Sequence, residues 1–454
     1  VALDENTAKI HKNELKKDGI IIKNPSDETN ENMYFAGKLF KTFCLDFKLL
    51  ETQLQKLNKE RLKENLAEAK EGYDSETKQM CKVKEFKEDH YFINGSQGIA
   101  EGAVKSNLNI YYAYPMTPAT GVLTELAQRA EKDNLTVLEL ESEISVVNAG
   151  VGSSIVGKNV MVGTSGGGFD LMTEGLSLCG MAEVPLVFYL AMRPGPSTGV
   201  ATYTSQGDLN LALHAGHGEF PRVVLAPGDP KEAIELTNQA FYFSQKFKVP
   251  SIILSDKHLA ESFYTLHEKP ELIKIINTTK LGRYNSYEKD PKTGSETEDP
   301  EIIEKNTIDR LKKTLNLEKE SSKFNMFQIY GNEASKNIII SWGSTKGAIL
   351  DAIKDLDVCF LQIKYLSPFP KEIKKYLNKN VILIENNSTA PLAGLIAEKT
   401  GIFIQDKNKI LKFDGRPFFC DELNNSLKRI LGSTNFKEDK NSSELENEIK
   451  RRLK

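Results

Sequence analysis

Between Tyr91 and Leu254 six apolar runs of three to five residues recur at the spacing of one helix apiece: Ile110–Ala113, Val137–Leu140, Asn159–Val162, Leu186–Leu190, Val223–Leu225 and Ser251–Leu254. Helical patterns separate several of them, at Gly121–Glu131, Glu141–Val156 and Lys231–Gln245. Strands this short, without polar alternation, are buried on both faces. The pattern therefore predicts a doubly wound parallel sheet covered by helices, an α/β fold. In such sheets the loops at the carboxyl ends of the strands carry the chemistry.

The remaining residues suggest the domain limits. Residues 1–85 read as a helix from Asp4 to Leu15, a strand at Gly19–Ile22, and helical stretches near 34–48 and 50–71. The first α/β domain spans 86–278, and a polar connector at 279–330 carries some helix around Asp309–Leu317. A second α/β domain spans 331–435. Its strands are Ile338–Ser341, Cys359–Ile363 and Val381–Glu385, with helices at Lys346–Asp355 and Ala390–Lys399. A charged tail, 436–454, reads as a frayed helix. The chain opens at Val1 inside an αβ pattern, which suggests a fragment or processed product.

With 60 basic and 63 acidic residues, no global field attracts nucleic acid or an anionic membrane. No apolar run reaches the length of a membrane span. Cys44, Cys81, Cys179, Cys359 and Cys420 lie too far apart in sequence to form a metal or iron–sulfur clip, so reduced thiols in a cytoplasm are expected.

Five loops follow the strands of the first sheet. Tyr114-Pro115-Met116-Thr117-Pro118 offers a helix start, with Thr117 as cap. Glu143 opens a helix after a strand, where an acid complements the helix dipole. Thr164-Ser165-Gly166-Gly167-Gly168-Phe169 offers backbone N–H groups and close approach to a ligand, without either nucleotide-fingerprint spacing. In Arg193-Pro194-Gly195-Pro196-Ser197-Thr198-Gly199 the arginine supplies a planar fork suited to a carboxylate. The fifth is Thr204-Ser205-Gln206-Gly207-Asp208-Leu209. His214 and His217 follow it without a third ligand, which favours structural or solvent-facing roles over metal binding.

Taken in order, these loops resemble the α subunits of 2-oxoacid:ferredoxin oxidoreductases, particularly the 2-oxoglutarate type. The matching residues are Asn94 to Ala100, Tyr114 to Pro118, Glu143-Ile144, Thr164 to Phe169, Gly195 to Gly199 and Ser205 to Leu209. Trp342 to Thr345 and Tyr365 to Pro370 match in the second domain. The resemblance implies a thiamine-diphosphate-binding domain of the pyrimidine type, followed by a transketolase-C-terminal-like α/β domain. Residues 1–85 resemble the end of a γ domain fused ahead of α. The implied reaction is oxidative decarboxylation of a 2-oxoacid with coenzyme A, giving acyl-CoA, carbon dioxide and reduced ferredoxin. The pyrimidine half of the cofactor would sit here, contacted by Glu143, Thr117, Gly166, Gly167 and Phe169. Glu143 would hydrogen-bond the ring nitrogen as the acid/base group. Arg193, Thr117, Ser197 and Thr198 would line the substrate pocket and orient the oxoacid. A β subunit would carry the diphosphate, its magnesium and a [4Fe–4S] cluster, in a dimer of αβ heterodimers; no metal site is expected in this chain.

Three positions depart from the family pattern. Pro194 replaces a glycine and removes a backbone donor, Gly167 replaces a proline, and Glu385-Asn386-Asn387-Ser388 departs from Glu-x-Asn-x-Gly-Gln. Two alternatives stay open: a non-catalytic assembly subunit, and a single-chain thiamine-diphosphate enzyme of transketolase type. The absence of a Gly-Asp-Gly…Asn motif argues against the second.

Overall fold

In the computed structural model the described residues are 1–2, 4–15, 19–22, 31–57, 60–76, 79–80, 91–276 and 286–432. Cys81, the tail expected at 436–454 and the start of the connector lie outside them. The chain divides into two compact units, Val1–Asp89 and His90–Lys454.

The first unit is helical: α1 (Glu5–Ile10), α2 (Glu31–Thr42), α3 (Phe47–Leu57) and α4 (Leu62–Ser75). Asp4 caps α1 by accepting the Thr7 N–H at 2.7 Å, and Leu50, Leu54 and Ala69 form a small core. Three helices replace the two expected between residues 34 and 71. The run Gly19–Ile22 forms no strand. Among the described residues its backbone tie is one hydrogen bond, from Ala2 N–H to the Ile22 carbonyl at 2.9 Å; four apolar residues without a ladder partner cannot make a strand.

The second unit opens with β1 (Tyr91–Asn94) and α5 (Gly95–Lys105), where Asn94 and Gln97 form a reciprocal capping box. The chain then runs β2 (Ile110–Ala113), α6 (Thr120–Arg129), β3 (Thr136–Glu139), α7 (Glu143–Ile155), β4 (Val160–Thr164), α8 (Gly166–Ala182) and β5 (Val187–Met192). It continues through α9 (Leu209–His214), β6 (Val223–Leu225), α10 (Pro230–Phe247), β7 (Ser251–Asp256), α11 (Lys257–Glu261) and β8 (Phe263–Leu266). After α12 (Pro300–Ser321) come β9 (Phe327–Gly331), β10 (Asn337–Trp342), α13 (Thr345–Ala352), β11 (Cys359–Ile363), β12 (Tyr365–Ser367), β13 (Asn380–Glu385), α14 (Pro391–Thr400), β14 (Lys409–Leu411) and α15 (Cys420–Ile430).

All six strands foreseen between Ile110 and Leu254 enter one seven-stranded sheet of order β12-β6-β7-β5-β4-β2-β3. Their mutual pairings are parallel, as the unalternated apolar runs require. Helices cover both faces. Val146, Val147 and Val151 of α7 and Met172 and Leu176 of α8 are buried on one side. Ile99, Ala100 and Ala103 of α5 and Leu236, Ala240 and Phe241 of α10 are buried on the other. Each large side chain so buried contributes about 1.5–3 kcal/mol.

The second sheet has the order β14-β13-β10-β11-β9, with only β9 antiparallel. Two of its strands, β9 and β14, come from segments where no strand was expected. β9 ends the stretch read as connector, and the helix expected around Asp309–Leu317 extends over 22 residues from the cap Asp299. Its length was hidden because Leu317 and Ser321 are its only buried residues. β12 leaves the second sheet after β11 and pairs antiparallel with β6 of the first. Trp342, Leu361 and Leu383 of the second sheet share one apolar cluster with Leu176, Phe188 and Leu254 of the first. β1 and β8 form a separate antiparallel pair.

Candidate functional site

The carboxyl ends of β2, β4 and β5 lie side by side in the sheet, and the loops leaving them bring the expected residues together. After β3 the chain turns into α7, whose cap is Ser142; its hydroxyl accepts the Ser145 N–H at 3.3 Å. Glu143 is therefore the first helical residue, and its side chain is only 3% exposed. Helix-dipole complementarity alone would leave such an acid in water. Instead its Oε1 accepts a 3.4 Å hydrogen bond from Thr164 Oγ1 at the end of β4.

The glycines expected in a loop form the first turn of α8, with Ser165 as a cap that makes no side-chain bond. A Cβ at Gly168 would collide with Thr164 Oγ1 and lie 2.8 Å from Glu143 Cδ. This turn must therefore be bare for the Glu143–Thr164 pair to fit beneath it. Phe169 is directed elsewhere: its ring is fully buried and meets Phe188 edge-to-face, centroids 5.8 Å apart.

Arg193 leaves β5 and donates from Nη1 to the Thr117 carbonyl at 2.8 Å. Its Nε is buried without a hydrogen-bond partner among the described residues. Thr117 is not a helix cap: α6 begins at Thr120 with Ala119 as its cap. The Arg193 loop is closed by a 3.0 Å bond from Val200 N–H to the Pro194 carbonyl. Gly199 permits this with a left-handed φ of 54°, and a Cβ there would lie 2.7 Å from Pro194 C. Pro194 thus serves the loop through its carbonyl, where its missing N–H costs nothing. The Ser197 carbonyl lies 3.7 Å from where a Gly167 Cβ would sit, while the Ser197 and Thr198 side chains are exposed.

Two features were missed from the sequence. Asp208 lies 2.5 Å, through Oδ2, from the position of a Gly166 Cβ. Burial pushes its carboxyl up to about 6; Asp170 adds to this and Arg193 opposes it. The second is the buried Gln206. Its Nε2 donates to the Trp342 carbonyl at 2.8 Å, and its Oε1 accepts Asn386 N–H at 2.9 Å. This pins the fifth loop to the second sheet. There Glu385, fully buried, accepts from Trp342 Nε1 at 2.8 Å and Asn387 Nδ2 at 3.1 Å. Burial pushes its carboxyl up to about 7. The departure at Glu385-Asn386-Asn387 is accordingly a packed polar joint. His217 is structural too, bonded through Nδ1 to Ser177 Oγ at 2.9 Å. Among the described residues no group of three or more His, Cys, Asp or Glu side chains is placed to hold a metal ion.

Chemically, the site offers a buried carboxylate with one long hydroxyl contact, a side-chain-free helix turn beside it, and a guanidinium with an unused N–H. An aminopyrimidine ring suits the first two and a carboxylate suits the third. Tyr114, Ile144 and Leu171, between 39% and 52% exposed, belong to the same loops and helix starts, and Leu138, 43% exposed, lies on the edge strand β3.

The family model described as pyruvate flavodoxin/ferredoxin oxidoreductase, thiamine diP-binding, matches residues 101–325. The 2-oxoacid:ferredoxin oxidoreductase subunit alpha of Saccharolobus solfataricus is 34% identical over 394 residues, covering 76% of this chain and 62% of that protein. The 2-oxoglutarate synthase subunit KorA of Archaeoglobus fulgidus is 30% identical over 311 residues, covering 64% of this chain and 86% of that protein. Among solved structures, the 2-oxoglutarate:ferredoxin oxidoreductase from Magnetococcus marinus, with 2-oxoglutarate, coenzyme A and succinyl-CoA bound, superposes with a TM-score of 0.81. It is 25% identical, covering 94% of this chain and 87% of that one. The chain spans between 59% and 66% of the length of the longer α subunits it matches. By sequence and fold, the chain belongs to the family of 2-oxoacid:ferredoxin oxidoreductase α subunits.

Proposed function

We propose that this chain is the α subunit of an enzyme that oxidatively decarboxylates a 2-oxoacid, 2-oxoglutarate foremost, passing the acyl group to coenzyme A and electrons to ferredoxin. The observation that carries the proposal is the buried Glu143 carboxyl set against the bare first turn of α8, which the Arg193 loop approaches through the Ser197 carbonyl while Arg193 itself bonds the Thr117 carbonyl. The choice of 2-oxoglutarate is supported by the names of the Archaeoglobus and Magnetococcus relatives.

Glu143, Thr164, Gly166 and Gly167 would hold the pyrimidine half of thiamine diphosphate, which supplies the carbon nucleophile and electron sink for decarboxylation. Glu143 would hydrogen-bond the ring nitrogen through its carboxyl, and Thr164 Oγ1 fixes that carboxyl in place. Its burial keeps water from competing for that hydrogen bond. Arg193, braced by the Thr117 carbonyl, grips the substrate carboxylate through its remaining donors. Ser197 and Thr198 line the same pocket from the exposed loop. Phe169 acts from the core behind it.

A β subunit carrying the diphosphate site, its magnesium and a [4Fe–4S] cluster would cover the exposed Tyr114, Leu138, Ile144 and Leu171, in a dimer of αβ heterodimers. Apolar side chains around a polar site are the signature of such a surface. The enzyme would work in the cytoplasm, where Cys44, Cys179, Cys359 and Cys420 stay unpaired as they are here. No helix of the described residues is long and apolar enough to cross a membrane.

Purification of the tagged gene product from its own host tests the proposal. A brown complex reducing a viologen dye with coenzyme A and a 2-oxoacid is expected; a lone, colourless, inactive chain would contradict it.

A further inference from the structure

Asp208 is a half-buried acid of the site that the chemistry above leaves idle. It caps α9 in position only, since its side chain makes no cap bond. No hydrogen bond or ion pair joins its carboxyl to a described residue. Yet it lies against the first turn of α8, at Gly166, in the fields of both Asp170 and Arg193. Glu143 meets the same turn one residue pair further on, at Gly168.

A carboxyl in this place has a definite relation to an anionic substrate. Ionised, it draws on the same guanidinium that the substrate carboxylate needs and repels that carboxylate. Protonated, it becomes a hydrogen-bond donor with no acceptor of its own. We infer that Asp208 is a specificity-determining residue that must be protonated when the 2-oxoacid binds, donating a hydrogen bond to the carboxylate held by Arg193. The inference rests on the function proposed above.

Two charged groups act on Asp208, in opposite directions. Asp170, exposed on α8, raises its proton affinity; Arg193, on the loop after β5, lowers it; burial outweighs both and sets the midpoint near about 6. A 2-oxoacid stays ionised throughout this range, so the titrating partner is the protein. Substrate binding then takes up one proton above the midpoint. KM for the 2-oxoacid should rise about tenfold per pH unit there, while kcat at saturation follows its own profile.

The experiment measures KM for 2-oxoglutarate with the αβ complex from about pH 5.5 to about pH 8, in wild type, Asp208→Asn and Asp170→Asn. Titration calorimetry with 2-hydroxyglutarate, which cannot be decarboxylated, gives binding without turnover. The amide introduced by Asp208→Asn would donate at every pH. That variant should therefore show a flat KM and flat calorimetric affinity, tightest relative to wild type at high pH. Asp170→Asn removes a charge that favours the protonated form and should move the break to lower pH, on a surface substitution that spares the fold. Parallel wild-type and Asp208→Asn profiles in both measurements would overturn the assignment while leaving the function intact. An unmoved break in Asp170→Asn would also overturn it. A wild-type complex that turns over no 2-oxoacid would overturn the function itself, and this inference with it.

Discussion

Thr164 Oγ1 donates to Glu143 Oε1 at 3.4 Å across the floor of the site, and Gly168 is the residue whose missing side chain makes room for the pair. The hydroxyl and the carboxylate come from segments 21 residues apart in sequence. Only the parallel order β4-β2-β3, with α7 folded back over it, brings them together.

Gly168→Ala should therefore disable the site without abolishing the fold. The new methyl meets Thr164 Oγ1 and Glu143, which must move, at a cost of about 1–3 kcal/mol typical of overpacking. Cofactor binding to the complex, followed by fluorescence quenching, should weaken more than the unfolding temperature falls. Unchanged binding would place the cofactor elsewhere.

Arg193→Lys keeps the charge but loses the planar fork. It cannot both brace against the Thr117 carbonyl and grip a carboxylate in two-point fashion. Steady-state kinetics should show kcat/KM lower by about 10–100-fold, mostly through KM, with the melting temperature nearly unchanged. Equal losses of stability and activity would contradict a substrate role.

Phe169→Ala should act through packing. The ring is fully buried against Phe188, and its loss should cost about 3–5 kcal/mol in chemical denaturation. Cofactor affinity should fall only as far as stability does. A selective loss of affinity would instead give the ring a direct place in the pocket.

Glu385 makes stability depend on pH in a stated direction. Its folded proton affinity is raised, to about 7, above the ordinary carboxylate value of 4.5. The contribution is therefore fully present below about pH 4.5 and is lost as pH rises through about 7, a swing on the order of 3 kcal/mol. Denaturation midpoints of wild type and Glu385→Gln should converge at low pH, with the wild type losing ground as pH rises. Parallel curves would show that this carboxyl does not titrate in the window.

The sheet and the main site residues were legible because their signals are local. Six unalternated apolar runs force parallel burial, and Glu143 and Arg193 each sit at a strand end, where such sheets place their chemistry. What stayed hidden depends on partners distant in sequence. Asp208 ahead of Leu209 reads as a helix cap, and only folding brings it against Gly166 and into the field of Arg193. Phe169 stands in the glycine motif but turns into the core on the next helical residue. β9 and β12 are short, and their pairing is decided by β11 and β6. Gly19–Ile22 has strand composition, but among the described residues it pairs with no strand.

The most direct measurement compares wild-type and Glu143→Gln complexes for 2-oxoacid-dependent viologen reduction, with bound thiamine diphosphate quantified in the same samples. The substitution keeps size and removes the acid/base group, so turnover should fall by about 10²–10⁴-fold while the cofactor remains bound. Near-normal turnover in Glu143→Gln with cofactor present would contradict the central claim.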